Sequence, residues 1–378
     1  MHQRSCCWFT VTLFLTTVGS LSFSSLVIPP LCAAQAETEA TTDADEPEVA
    51  FSVMSRPLWT LGFEDARWLL PEKSPQTKRV ALLTLGEMTR RKNASEQPEE
   101  QRSTALGAWS RTIPLYLAES IWFNLDAEGD VYLPVAKGVG PAVFGYAFDQ
   151  ESVQEFLKSR DAKDERQRVD LLISGTEQID WGGFRSHVEL TVWEGTTGAP
   201  VGTVTASSLT QSPGQLVQQL ERQLLAQLEH LGLPRQGVSS TWVRPEPAET
   251  EAYLLALDQL LAQMLVDHDL ADINGLWGED RMYEWYLTLA DHMTGAVAPK
   301  LMFLRAMAAG AGYGSQYVTQ FEPVALKLLN HKETGSEPWY RLSPLLLKRL
   351  GKEPEAQARK AELLSVAAGD YRAWLEKL

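Results

Sequence analysis

Three clusters of polar side chains in this sequence have types and spacings from which chemistry could be built. Asp267-His268-Asp269, followed by Asp272 and Asn274, is the densest set of donor atoms. A calcium loop of the EF-hand kind needs oxygen ligands at alternate positions and glycine at the sixth. Ala271 and Asp272 hold the fifth and sixth positions instead. His268 also lacks a second histidine at helical spacing, as a zinc site would need. These residues are expected to end a helix and form a turn. Lys137-Gly138-Val139-Gly140-Pro141-Ala142-Val143-Phe144-Gly145 outlines a phosphate-cradling loop, but Val143 stands where the third glycine belongs and no lysine followed by Ser or Thr closes it. A flexible loop is expected there. His187 and Glu189 fall on one strand face and could pair as base and orienter, yet no nucleophile accompanies them. His292 follows Asp291 on a helix, where consecutive side chains diverge. No G-x-S-x-G or H-E-x-x-H motif occurs. No residue is assigned to catalysis, to a cofactor or to a metal, and the chain is expected not to be an enzyme.

The unusual feature is aromatic. Twelve tryptophans occur, and exposed tryptophan is enriched where partners bind. Trp109, Trp122, Trp285 and Trp374 sit at apolar helical positions and are expected in the core. Trp181, Trp193, Trp277 and Trp339 lie near loops or element ends. They are the candidate partner-binding residues, able to hold a peptide or to stack on a sugar ring.

Hydrophobic period sets the elements that would carry these residues. Val80–Leu85 reads as a buried strand. Thr104–Leu125 repeats apolar residues at helical spacing, with Pro114 expected to kink or split it. Val131–Val135 is a strand weakened by Pro134, and Gln150–Ser159 is a short helix. Val169–Gly175 is an apolar strand. From Phe184 to Trp193 the residues alternate: Phe184, Ser186, Val188, Leu190 and Val192 on one face, Arg185, His187, Glu189, Thr191 and Trp193 on the other. Gly195–Gly198 turns the chain into a partner strand at Val201–Ala206. Ser212, Pro213 and Gln215 then spell a helix start with a capping box, and a leucine stripe from Leu216 to Leu231 follows. Pro234, Pro245 and Pro247 mark a boundary. Beyond it every segment reads helical: 249–267, 280–294, 299–309, 316–330, 338–350, 354–367 and 371–378. The expected organisation is an α/β (or α+β) domain over 51–234 with a mixed sheet packed by helices, a linker over 235–248, and an all-α domain of helical hairpins over 249–378.

The first 36 residues contain Arg4, an apolar run over Trp8–Ile28, and the small residues Ala33-Ala34-Gln35-Ala36. That is a secretory signal with cleavage expected after Ala36. An uncleaved anchor through Trp8–Ile28 is the alternative. An acidic linker over 37–50 follows. All three cysteines, Cys6, Cys7 and Cys32, fall in the leader, so the mature chain has no disulfide and no thiol chemistry. The chain carries a net charge of −15 without a basic cluster, which argues against nucleic acid.

Val80–Leu85, Leu115–Leu125, Leu172-Ile173-Ser174-Gly175 and the hairpin Val188–Val201 with its Thr197-Gly198 turn resemble, in that order, the amino-terminal domain of TolB. The helices from Tyr253 onward resemble a tetratricopeptide-like array appended to it. The resemblance spans about residues 76–233; the charged loop Arg90–Arg102 and the segment Lys137–Tyr146 depart from it. It implies a non-catalytic scaffold of the periplasm that binds envelope proteins or peptides. A carbohydrate- or peptidoglycan-active enzyme, or a sugar-binding protein, is the alternative, and would need two carboxylates facing across an aromatic cleft.

Overall fold

In a computed structural model, the described residues are 49–88, 105–136, 140–160, 168–180, 183–237, 241–271, 276 and 278–378, with three short strands nearer the start. Those are β1 (Phe9–Val11), β2 (Leu21–Ser24) and β3 (Leu26–Ile28). The cleavage site, the acidic linker up to residue 48 and the charged loop 90–102 lie outside the described residues.

One mixed sheet organises the first half. Its strands are β4 (Val49–Met54), β5 (Lys78–Leu83), β7 (Ala127–Ala136), β9 (Leu171–Ile179), β10 (Arg185–Glu194) and β11 (Pro200–Leu209), with short β6 (Gly86–Glu87) and β8 (Gly140–Pro141) at the side. The order across the sheet is β11-β10-β9-β5-β7-β4-β2. β5 runs parallel to β7 and β9, and the outer pairs are antiparallel. The alternation read at 184–193 is present: Ser186, Val188, Leu190 and Val192 are buried on one face. Phe184 departs from it at 73% exposed, because it precedes the strand.

Helices α1 (Ala105–Asn124) and α3 (Pro213–His230) cover one face of the sheet, and α2 (Gln150–Arg160) covers part of the other. The second half is α4 (Pro247–Asp267), α5 (Glu279–His292), α6 (Ala298–Tyr313), α7 (Val318–Asn330), α8 (Pro338–Arg349), α9 (Glu353–Leu364) and α10 (Gly369–Lys377). From α5 on, each packs on the next, and α4 lies across α1 and α3. The molecule is thus layered: α2, sheet, the α1/α3 layer, then the helical half. This matches the expected α/β domain followed by an all-helical part.

Several local expectations are corrected. Pro114 does not split α1. Its missing N–H would have reached the Ser110 carbonyl, and that carbonyl instead accepts the Leu85 N–H at 2.8 Å, tying the helix to the sheet. Pro134 lies in a central strand. Its carbonyl takes the Ala142 N–H at 2.8 Å, on the side facing away from β4, where β5 has already ended at Leu83. The missing N–H therefore falls on the short β8 side, and the ladder to β4 loses nothing to the proline. Ser212 precedes α3 but makes no side-chain cap, whereas Glu246 and Glu249 form a capping box at α4 that sequence reading missed.

Close backbone approaches, one inside β9 and one at the hairpin turn, explain two glycines of the segments that carry the resemblance. A Cβ at Gly175 would lie 2.4 Å from the Glu189 carbonyl oxygen, and one at Gly195 only 1.9 Å from that of Val169. Gly195→Ala is expected to cost about 2 kcal/mol or more through backbone displacement, read as a lowered Tm in a thermal melt.

The segment between β4 and β5 belongs by its contacts to the far half. Leu58, Trp59, Phe63 and Leu69 are buried in the same core as α4, α6 and α10. Arg305, 2% exposed, donates to Leu61 O at 2.9 Å, and the Trp374 indole donates to Glu64 O at 3.0 Å. The Arg341 guanidinium lies 4.1 Å from the Trp68 ring and 3.8 Å from that of Tyr371. This strap stitches residues 57–70 to the last helices. The two halves share one continuous apolar core.

Candidate functional site

The four candidate tryptophans do not come together. Trp193 is 6% exposed, and its indole donates to Ser174 Oγ at 2.9 Å. It packs with Phe156 and Leu157 because α2 covers the strand face that reads as polar in sequence. Trp339 is 8% exposed, with Lys300 Nζ 4.3 Å from its ring centre. Both are buried, so neither has the exposure on which its reading as a partner-binding anchor rested. Trp181 and Trp277 lie outside the described residues. Trp109, Trp122 and Trp374 are buried as expected, and Trp285 is half-buried, donating to Ala252 O at 3.1 Å.

His187 is half-buried and Glu189 exposed on the open part of their strand face. His268 follows the last residue of α4, and burial lowers its pKa. Asp269 adopts φ 56° there, making the turn that the sequence implied. Asp272 and Asn274 lie outside the described residues, as do Lys137–Val139 of the glycine-containing loop. Among the described residues no three metal-type ligands gather.

The strongest concentration of polar chemistry was not legible in the sequence. It lies where α1, α3 and α4 meet the linker. Glu221 on α3 is fully buried and accepts from Tyr116 at 3.0 Å, Ser120 at 2.6 Å and Arg244 at 3.0 Å. Glu119, one turn away on α1 and 1% exposed, accepts from Tyr253 of α4 at 2.7 Å. The indoles of Trp59 and Trp242 face the same carboxyl, although neither makes a hydrogen bond of good geometry. Burial pushes the Glu119 carboxyl up to about 8, so it is largely protonated at neutral pH. Above it the rings of Trp59, Phe123 and Trp242 stack in series, with centres 6.0 and 5.6 Å apart. Arg111 of α1 and Asp258 of α4 add a two-point ion pair at the same junction. Two carboxyl groups, two tyrosines and two tryptophans converge, but the carboxyl groups are closed to solvent. The arrangement holds the halves together.

An open concavity lies elsewhere, between α7, α8 and α9. It encloses about 470 Å³ and is lined by Leu326, Leu347 and Ala358 together with Asn330, Lys352, Arg359 and two acidic residues, Glu355 and Glu362. Arg359 is held in place by bonds to Leu329 O, Ser343 Oγ and Asn330 Oδ1 at 3.1, 3.0 and 2.8 Å. Lys352 Nζ pairs with Glu322 at 2.6 Å. Fixed charges of both signs beside Leu326 and Leu347 suit an extended chain with polar and apolar side chains. These residues come from three helices, and only their assembly reveals them.

No protein-family model matches the chain, and no curated protein matches it. Among the described residues no helix is long and apolar enough to cross a membrane.

Proposed function

We propose that the chain is a non-catalytic scaffold of the cell envelope, acting in the periplasm after removal of its leader, with a TolB-like first domain and a tetratricopeptide-like second one. Its partners are envelope proteins or peptides, with no cofactor involved. The observation that carries this reading is the α7–α9 concavity, where Arg359, Asn330 and Lys352, each already held in place by a neighbour, line one open surface with Leu326, Leu347 and Ala358 that an extended segment could follow. Helical arrays recognise such segments along their grooves. The glycosidase alternative calls for paired carboxylates across an open aromatic cleft; Glu119 and Glu221 are closed in, and the concavity that holds Glu355 and Glu362 has no aromatic residue in its lining. The same Ser-Gly strand and Thr-Gly turn that suggest TolB are positions where this sheet admits no larger residue or needs a tight turn, which supports the kinship.

Ala358 is exposed and lines the concavity. Ala358→Arg fills it without removing any internal contact. In quantitative pull-downs from crosslinked envelope fractions, the substitution is expected to deplete the wild-type partner set at least about tenfold, a change of about 1.4 kcal/mol, with Tm unchanged. Equal recovery by both forms sinks the groove as the partner site. The mature form isolated from the periplasm is expected to begin at Glu37 by amino-terminal sequencing.

A further inference from the structure

Among the described residues β11 closes one side of the sheet and pairs only with β10. Such an edge presents unpaired backbone groups, and proteins ordinarily guard them with lysine, inward charge, proline or a covering element. Here the guard is thin. Residues 195–220 contain no Asp, Glu, Lys or Arg, in a chain of net charge −15. The one proline, Pro200, and the one bulge, opposite Val192 and Trp193, both sit at the start of the strand.

The hydrogen-bond direction along β11 is fixed by its far end. Thr210 N–H donates to Phe184 O at 2.9 Å. Groups of residues along an antiparallel strand alternate between its two sides. Residues 204, 206 and 208 therefore bond β10, and residues 203, 205, 207 and 209 turn their N–H and C=O outward. The ends of this outward row are closed from within. Gln227 of α3 donates to Val201 O at 3.3 Å, and Ser212 N–H donates to Leu209 O at 2.8 Å. Among the described residues the backbone groups of Thr203, Thr205 and Ser207 are left between them, with exposed side chains as well, of which Ser207 takes a long 3.4 Å bond from Arg185 of β10. Exposed Leu209 (56%) and Phe184 (73%) lie just beyond.

We infer that this edge is a self-association surface, at which β11 of a second copy pairs antiparallel about a two-fold axis through Thr205. In that register Thr205 faces its own copy, Thr203 faces Ser207, and Val201 faces Leu209. Each outward N–H of the three central residues meets an outward C=O. The parity also holds for the side chains, since exposed residues meet exposed ones and Val204 meets Ala206 on the face under α3. An acidic chain offers few surfaces that can meet their own copy without like-charge repulsion, and an uncharged strand is one. The solvent-facing side of α3 beside this edge is of similar character, with Gln215, Gln219, Gln223, Ala226 and Gln227 and two charges of opposite sign, Arg222 and Glu229. This association is independent of what the α7–α9 concavity binds.

The test uses the full chain with Cys6, Cys7 and Cys32, its three cysteines, replaced by serine and single cysteines introduced on β11. Light scattering on the size-excluded protein is expected to give twice the chain mass. Thr205→Lys, at an exposed position, is expected to halve that mass, while circular dichroism and Tm stay as in the parent and Thr205→Val keeps the dimer. A short bis-maleimide is expected to link Thr205→Cys to itself. It should link Thr203→Cys to Ser207→Cys in a mixture and leave Thr203→Cys alone unlinked. A monomer at about 100 μM, a concentration at which even weak dimers of Kd near 10 μM form, overturns the inference. So does a dimer untouched by Thr205→Lys, or a different crosslinking register. Capture of a foreign extended peptide by a monomeric protein, abolished by the same lysine, would assign the edge to a partner strand and likewise overturn self-pairing.

Discussion

Trp242→Ala should lower the unfolding free energy by about 3–5 kcal/mol, the range for deleting a buried aromatic side chain. Trp242 is 7% exposed and lies nearly parallel to Phe123, at an interplanar angle of 5°. It stands in the linker, so its ring is the wedge between α1 of the first half and α4 of the second. The loss should therefore register at the junction before it registers elsewhere. Equilibrium urea unfolding gives the magnitude. Limited proteolysis gives the location, with the first new cleavage expected in residues 235–248. Trp242→Phe retains a ring in the stack and should recover most of the difference. If Trp242→Ala melts like the parent, the junction is not what joins the halves.

A second large effect is expected from pH. The Glu119 carboxyl titrates near 8 in the folded chain, raised by desolvation among Tyr253, Trp242 and Trp59, against a reference of 4.5. A carboxyl with a higher pKa folded than unfolded stabilises the fold fully below the lower value and loses that contribution as pH rises through the higher one. The unfolding free energy should accordingly fall between about pH 5 and about pH 9, by up to a few kcal/mol from this group. Glu119→Gln cannot ionise and still accepts from Tyr253. Its stability should change less over the same interval, so that the variant overtakes the parent at alkaline pH. Parallel curves for the two proteins, measured by denaturant titration across that range, would remove Glu119 as the source.

The elements that the sequence disclosed are those whose signal is local. Period two from Ser186 to Val192 needs only the strand itself and a buried face. The leucines from Leu216 onward need only one helix, and the helical half carries start and stop residues within a few positions of each true end. What the sequence concealed depends on partners distant in the chain. Trp193 sits among polar neighbours and reads as exposed, until α2, some forty residues earlier by number, folds over it. Pro114 reads as a breaker, until Leu85 supplies the donor that the proline cannot. The strap over 57–70 has apolar residues without a period, since it adopts two single turns of 3-10 helix rather than a repeating element. Glu119 and Glu221 look like surface charges on amphipathic helices, and only the addition of α4 and the linker encloses them. The concavity at α7–α9 has no sequence signature because Asn330, Leu347 and Arg359 belong to three helices.

The strap also sets a timetable for biosynthesis. Phe63 receives the indole of Trp374 across 311 positions, and Glu64 meets Arg349 across 285. Phe63 and Trp68 are made early, yet Tyr371 and Trp374, which pack on them, are made last. At ribosomal rates of about 5–20 residues per second, the wait is roughly a quarter of a minute to a minute. Throughout that interval the strap lacks the partners that cover Phe63 and Trp68 in the finished fold, so the first half cannot bury all of its own aromatic surface until the last helix arrives.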